Sequence, residues 1–243
     1  MMKRFFFVPI LIGALLVGCK EPENKIVEAN PTSSFLVEIN DKNSSLKLAT
    51  NSDFNEAGKK LVKKDLPGFT EAFTYQWFLS TIKGGSFDNI HNSDTDYTLG
   101  LTGSGDGLMF LKCTFFVKNE GDSNFDFKMN IELANQNANY IEYLRLMVFE
   151  GDTTRTIYGH RSKSRYDASN EICKEYISGP EGTVSYFGEA ELFETETVLA
   201  SISNNLKTNE SRMYTLLFWL EGEDNECKDV PEDAYLNAKV NIN

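Results

Sequence analysis

At residues 125–133 the chain reads Phe125-Asp126-Phe127-Lys128-Met129-Asn130-Ile131-Glu132-Leu133. Apolar and polar side chains alternate throughout, which is the period of a β-strand with one face in the core and the other in water. The polar turn at 119–122 precedes this stretch, and before the turn a second strand carries its apolar side chains on one face: Met109, Leu111, Cys113, Phe115 and Val117. The region therefore predicts two half-buried strands joined by a turn.

Further short strands are predicted on the C-terminal side, at 141–149, 184–187 and 198–202. Residues 213–220 are apolar at nearly every position, which is typical of a central strand that is covered on both faces. Residues 236–242 alternate again. Many short strands separated by turns predict an all-β fold, an antiparallel β-sandwich with jelly-roll character.

Two regions depart from this pattern. Between residues 35 and 67 the signals are mixed, and Phe54, Ala57, Leu61 and Val62 have helical spacing. Four lysines occupy the second half of that stretch, where the helix dipole favours cations, so a short helix is predicted near 52–64: Lys59, Lys60, Lys63 and Lys64. Residues 159–182 are polar and contain glycines, which predicts a path over the surface.

The N-terminus has the pattern of an export signal. Lys3 and Arg4 precede an apolar run at 5–17 that is too short to cross a bilayer as a stable helix. The run ends in Leu16-Val17-Gly18-Cys19, which resembles the lipobox of bacterial lipoproteins. The resemblance implies that residues 1–18 are removed and that Cys19 carries fatty acyl chains such as palmitate. The alternatives are an uncleaved anchor helix or an ordinary secretory leader.

The resemblance also predicts where the protein resides and how the chain is divided. An acylated Cys19 would hold it on the extracytoplasmic face of the cell membrane. Residues 19–34 are polar and contain prolines, so they are predicted to form a flexible tether. Residues 35–243 are predicted to form a single β-sandwich domain.

The charge of the chain excludes some partners. Its formal net charge is −12, and removal of residues 1–18 takes away two basic residues and no acidic one, which gives −14. An acidic surface repels nucleic acid, so no nucleic-acid partner is expected.

Three cysteines remain beside Cys19. Cys113 lies on the apolar face of a predicted strand and is expected to act as a small buried hydrophobic residue. Cys173 and Cys227 lie in polar surroundings and are candidates for a disulfide, with two free thiols as the alternative. CxxC spacing is absent from the sequence, which argues against a structural zinc site.

The C-terminal part of the chain resembles a known group of surface proteins. The segment 214–227 reads Tyr-Thr-Leu-Leu-Phe-Trp-Leu-Glu-Gly-Glu-Asp-Asn-Glu-Cys. It is similar to a segment of the TasA and camelysin group, the β-sandwich proteins of biofilm fibres and their relatives. Residues 145–149, followed by Ile157 and Tyr158, resemble that group's middle strand and the hairpin after it. The likeness extends over the last two-thirds of the chain and supports a sandwich fold more than it supports fibre formation.

Candidates for catalysis or metal binding are few. His91 and His160 have no second histidine or carboxylate at metal-ligand spacing, so the chain is not predicted to be an enzyme. Two acidic loops are candidates for calcium, since carboxylates at alternate positions supply oxygen ligands: Asp94 and Asp96 in one, and Glu221, Glu223, Asp224 and Glu226 in the other. Neither loop has EF-hand spacing, and solvated turns are the alternative. No other cofactor is expected.

Two functions remain open at this point. The first is a non-catalytic surface lipoprotein whose sandwich serves adhesion, assembly or envelope architecture through a surface protein or a glycan. The second is a lipoprotein that binds a carbohydrate or another small solute.

Overall fold

A computed structural model of the chain describes residues 32–66, 68–69, 72, 110–134, 138–151, 154–160, 173–178, 184–221 and 234–243. Twelve strands and one 3-10 helix (Ala138–Tyr143) occur within these residues. The strands are β1 (Ser33–Ile39), β2 (Leu46–Ala49), β3 (Lys60–Leu66), β4 (Phe110–Asn119), β5 (Phe125–Leu133), β6 (Leu144–Glu150), β7 (Thr154–Gly159), β8 (Cys173–Ser178), β9 (Val184–Leu192), β10 (Val198–Leu206), β11 (Ser211–Leu220) and β12 (Asn237–Ile242).

The strands form two sheets that pack face to face. Sheet A has five strands in the order β10-β5-β12-β1-β3, and sheet B has seven in the order β2-β4-β11-β6-β7-β9-β8. Apolar side chains from both sheets share one core, and the rings of Phe35 in sheet A and Phe218 in sheet B lie 5.7 Å apart. The predicted all-β sandwich is confirmed.

The sheets are mixed rather than purely antiparallel, which corrects one part of that prediction. β1 pairs in parallel with β12, and β7 pairs in parallel with β9. The chain enters β1 and β12 at the same end of sheet A, so the two strands run in the same direction. Strands that pair in parallel must be joined by a long crossover connection.

The alternating stretches occupy the positions that their patterns predict. β5 spans Phe125–Leu133 and buries Phe127, Met129, Ile131 and Leu133, while the intervening side chains lie on the outer face of sheet A. β12 buries Ala238, Val240 and Ile242 on its core face, and Asn241 on its other face is buried as well.

β11 is buried on both faces, as its uniform apolar sequence predicts. Tyr214, Leu216, Phe218 and Leu220 face the core between the sheets, and Thr215, Leu217 and Trp219 on the opposite face are fully buried too. The neighbouring strands bury polar residues on that second face: Lys112, Thr114 and Arg145. Both faces of the middle of sheet B are therefore covered.

The helix predicted near 52–64 is wrong. Turns occupy most of 51–57, and β3 pairs antiparallel with β1 from Lys60 to Leu66. Gly58 and Leu48 exchange two backbone hydrogen bonds of 2.8 Å. β1 supplies the backbone partners of β3, and Leu48 supplies those of Gly58 before it. As a strand, the segment turns Leu61 inward while Lys60 and Lys64 stay exposed, with a period of two. In the described part of the chain, no helix has the length and apolar character needed to span a membrane.

Smaller corrections concern two other segments. The polar region 159–182, predicted to wander over the surface, contains β8, which pairs antiparallel with β9. β1 begins at Ser33, so the last two residues of the predicted tether belong to sheet A.

The two ends of sheet A differ in what they carry. At the end where β1 begins lie Ser33, Leu66, Leu133 and Asn237, and we call it the entry end. At the opposite end are the short connections 40–45, 120–124 and 207–210 together with Asn243, and we call it the turn end.

Candidate binding surface at the edge of the five-stranded sheet

β10 forms one edge of sheet A, and its chemistry is unusual for an edge strand. Its nine residues, Val198–Leu206, contain no charged residue and no proline. Natural edge strands commonly carry lysines or prolines that prevent pairing with other chains. The other edge of sheet A follows that rule, since β3 carries Lys60, Lys63 and Lys64.

The outer face of β10 presents hydroxyl and amide groups in fixed positions. The Ser201 hydroxyl donates to Asn130 Oδ1 at 2.9 Å, and Asn205 Nδ2 donates to Asp126 Oδ1 at 2.6 Å. Ser203 lies opposite Lys128 in the register and is exposed. The two cross-strand bonds restrict the Ser201 and Asn205 side chains, which reduces the conformational entropy lost when a partner binds.

An open depression of about 460 Å³ lies beside these residues at the turn end. Its lining consists of Asp126, Phe127, Lys128, Ser203, Asn204, Asn205 and Asn243. Six of these seven side chains are polar, so the depression suits hydroxyl, amide or peptide groups better than an apolar ligand. We call β10 from Ser201 to Asn205, together with this depression, the β10 surface.

Arg212 holds the end of β10 from the other side of the strand. Its guanidinium donates to Asn204 Oδ1 at 2.9 Å, to the Asn205 carbonyl oxygen at 3.1 Å and to Glu210 Oε1 at 3.0 Å. Hydrogen bonds from the Lys207 backbone N–H and from Arg212 lower the pKa of Glu210, which keeps it ionised. The ion pair of Arg212 and Glu210 thus holds the end of β10 in place.

Asn119, at the end of β4, joins the connections of the turn end. Its Oδ1 accepts from Ser45 Oγ at 2.6 Å and from Gly121 N–H at 3.0 Å. Its Nδ2 donates to the carbonyl oxygens of Ser123, Leu206 and Lys207 at 2.8 to 3.3 Å. One fully buried side chain therefore ties three connections together, including the one that follows β10.

Most of the sequence-predicted site residues lie outside the described residues. This holds for the lipidation candidate Cys19, for His91, for Cys227 and for the calcium candidates Asp94, Asp96, Glu223, Asp224 and Glu226. Cys173 is the first residue of β8. Lipidation, the disulfide and the calcium sites therefore stay predictions.

Cys113 is where the sequence predicts it. It is 2% exposed within the core, and burial raises the pKa of its thiol to about 11. It is a buried hydrophobic residue and not a reactive thiol.

Glu221 differs from the expectation of a solvated turn. It is buried, and its Oε2 accepts a hydrogen bond of 3.0 Å from Trp219 Nε1. His160 follows β7 and is half-buried, and burial lowers its pKa. Within the described ranges, no group of three His, Cys, Asp or Glu residues is placed to hold a metal ion.

Sequence reasoning predicted a strand at 198–202 but not the β10 surface. The missing charges of β10 are visible in the sequence, whereas its position at an edge depends on pairing with β5, more than sixty residues earlier. The role of Asn119 could not be predicted from the sequence, because its hydrogen-bond partners come from three separate parts of the chain.

Comparisons with known proteins add no relative. The chain matches no protein-family model, no curated protein and no solved structure. The resemblance to the TasA and camelysin group therefore stays a prediction.

Proposed function

We propose that this chain is a lipid-anchored bacterial surface protein whose β-sandwich is a non-catalytic module for adhesion, assembly or envelope structure. The observation that carries the proposal is the β10 surface, whose strand contains no charged residue and whose hydroxyl and amide groups are held by hydrogen bonds. Rigid polar surfaces of this kind are suited to binding another surface, because little conformational entropy is lost when their side chains are fixed on binding.

The position of the β10 surface supports the same function. The chain enters sheet A at Ser33, at the entry end. The depression lies at the turn end, which is the opposite end of the sheet. An anchor at Cys19 would be connected to the entry end through residues 20–32. The depression of the β10 surface would then lie at the end of sheet A opposite to the point where the tether attaches.

The anchor and the adhesive role are tested together with Cys19→Ser. Cells producing the unaltered chain should incorporate palmitate label into it, retain it in the membrane fraction and adhere to one another or to a surface. Cys19→Ser should remove the label, the retention and the adhesion. Normal labelling of Cys19→Ser would contradict the anchor. If the anchored protein does not increase adhesion, the proposed adhesive role is contradicted.

A ligand-binding lipoprotein is the second candidate, and the polar depression favours it. Its lining resembles that of sites for neutral sugars in having amide and hydroxyl groups, although aromatic side chains that would stack on a sugar ring are few there. A glycan array and a thermal-shift screen of the purified protein test this candidate. Reproducible stabilisation by one class of small solute would favour it over adhesion.

A further inference from the structure

We propose that the outer face of sheet A binds an uncharged polysaccharide, which lies across β10, β5 and β12. This inference rests on the proposed function and names the partner of its adhesive surface. It starts from amide and hydroxyl side chains that continue from the β10 surface to the middle of the sheet. One of these amides is buried and has no hydrogen-bond partner for its oxygen.

The side chains form two adjacent rows across the three strands, which we call the amide rows. The first row consists of Ser201, Asn130 and Asn241, and the second of Ser203, Lys128 and Asn243. Three neighbouring strands are about 10 Å wide, and two rows that are two residues apart along a strand are separated by about 7 Å. The amide rows therefore form a short, flat platform at the turn end of sheet A.

Asn241 is the residue of the amide rows that the fold explains least. It is 7% exposed in the central strand of sheet A, and its Oδ1 is buried without a hydrogen-bond partner. Its neighbours on the two sides are Asn130, whose Oδ1 already accepts from Ser201, and Glu38 of β1. A buried polar atom without a partner lowers stability, and asparagine is disfavoured in strands. A residue that breaks these rules is expected at a functional site.

The amide rows combine side chains that are held with side chains that a ligand can engage. Ser201 is held by Asn130, as described above. Ser203 is exposed, and within the described residues its hydroxyl makes no hydrogen bond. A half-turn of the Asn241 amide exchanges its donor and its acceptor, so it can serve either role. Hydroxyl groups of a ligand both donate and accept, and they match each of these side chains.

The charge of this face argues against an ionic partner. On their outer side β5 and β12 carry two acidic and two basic side chains: Asp126, Glu132, Lys128 and Lys239. β10 adds no charge, so the face of the three strands is neutral overall. A polyanion is bound through an excess of lysine and arginine, which this face does not have. The partner that it fits is uncharged.

The face also offers no apolar contact to a partner. The outward side chains of residues 201–205, 126–132 and 237–243 are all polar. Binding of proteins depends mainly on large aromatic and arginine side chains at the centre of the interface, and apolar solutes need apolar cavities. A neutral polysaccharide presents many hydroxyl groups and needs neither feature, so it is the partner whose chemistry matches.

The depression gives the polysaccharide a second contact. Ser203, Lys128 and Asn243 belong to the second row and also line the depression of about 460 Å³. A branch or an end of the polymer can therefore enter it while the rest lies over the amide rows. Each contact is weak because no aromatic side chain of these strands stacks on a sugar ring from this face. Many anchored copies on one polymer compensate through high effective concentration.

The test is affinity electrophoresis of the purified full chain in a polyoxyethylene detergent, which carries no sugar. The gels contain dextran, mannan or galactan as neutral probes, or polygalacturonate as the anionic comparison. At least one neutral polysaccharide should retard the protein more than polygalacturonate does. Equal or stronger retardation by polygalacturonate, or no retardation by any neutral probe, would overturn the inference.

Asn241→Val and Asn237→Val are a matched pair on the outer side of β12. Asn241→Val should weaken binding about fivefold or more, as loss of one hydrogen bond implies. It should also raise the midpoint of thermal unfolding by about 3 °C, because it removes the buried oxygen without a partner. Asn237→Val should lower the midpoint, since Asn237 Oδ1 accepts from Ser34 Oγ at 2.6 Å, and should change binding less than about twofold.

Ser203→Ala keeps the test independent of any change in folding. Its exposed hydroxyl makes no bond to the described residues, so the variant should weaken binding and leave the midpoint unchanged. Native binding by both Asn241→Val and Ser203→Ala would overturn the role of the amide rows. Equal loss of binding in Asn237→Val and Asn241→Val would do the same.

These measurements do not depend on the anchor, so they separate this inference from the proposed function. Cells that adhere through the chain, while the purified protein binds no neutral polysaccharide, would retain the proposed function and overturn the inference. Binding by the purified protein without adhesion of the cells would support the polysaccharide site and favour the ligand-binding lipoprotein.

Discussion

At the scale of single residues, Asn119 has the largest structural role at the turn end. Its side chain makes five hydrogen bonds to three connections, and the residue is completely buried. Its backbone N–H also donates to the Glu210 carbonyl oxygen, and its own carbonyl oxygen accepts from Asn209. The connection that follows β10 therefore depends on a residue of β4.

Asn119→Ala should lower the free energy of unfolding by about 3 kcal/mol, because it leaves buried carbonyl groups without their donor. Urea denaturation followed by circular dichroism measures this. Asn40→Ala is the control, since that exposed side chain makes one hydrogen bond to Asn243 and its loss should change stability by less than about 0.5 kcal/mol. Equal effects of the two variants would contradict the role of Asn119.

At the scale of elements, β3 lies between two glycines with different surroundings. Before it, a Cβ on Gly58 would find its nearest atoms on Lys60 at 3.9 Å, an ordinary contact. After it, a Cβ on Gly68 would lie 2.7 Å from the carbonyl oxygen of Ala234, which also accepts a hydrogen bond from Phe69 N–H. The chain after β3 therefore passes too close to the segment before β12 for any side chain at 68.

Gly68→Ala should destabilise the protein by about 2 kcal/mol, since the backbone of either segment must move to relieve the overlap. Gly58→Ala should be neutral or stabilise by up to about 1 kcal/mol, because it fits and restricts the unfolded chain. The difference between the two urea midpoints measures the effect. A tolerated Gly68→Ala would contradict the close approach.

Elements also show why the sequence predicted some parts of the fold and not others. Apolar and polar residues alternate strictly in β5 and β12 because one face of each strand meets the core. The buried face can therefore be predicted from the order of the residues alone. β3 was predicted as a helix, because the spacing of Phe54, Ala57, Leu61 and Val62 carries no information about β1, the strand that supplies its hydrogen bonds. The edge position of β10 likewise depends on partners and not on its own residues.

At the scale of the whole molecule, alkaline pH should act on groups that burial holds in one protonation state. Burial raises the pKa of Cys113 to about 11 and that of Tyr158 to about 12. The folded state keeps these protons at a pH where the unfolded chain releases them, so their contribution is complete below pH 9 and is lost as pH rises to 11 and beyond. Burial lowers the pKa of Lys112 to about 8. Between pH 8 and 10.5 the unfolded chain therefore holds more protons on this group than the folded state does, so the contribution of Lys112 to stability increases as the pH rises.

Cys113→Val should therefore reduce the stability lost between pH 9 and pH 11 by about 2 kcal/mol, as a shift of two pKa units implies. Urea denaturation at the two pH values measures the change. Val117→Ala, on the same strand and face, should lower stability equally at both pH values, since it removes no ionisable group. An unchanged pH dependence in Cys113→Val would contradict the role of Cys113 and assign the loss to Tyr158.

The parallel pair of β1 and β12 has a consequence for how the protein is made. Ser34 and Asn237 are hydrogen-bonded at 2.6 Å, although 203 positions separate them in the chain. The centre of sheet A thus combines the first and the last of the described strands, and contacts of such high sequence separation form slowly. Before residues 237–242 are synthesised, sheet A has a gap between β1 and β5, so we expect its part of the core to close only after β12 has been made.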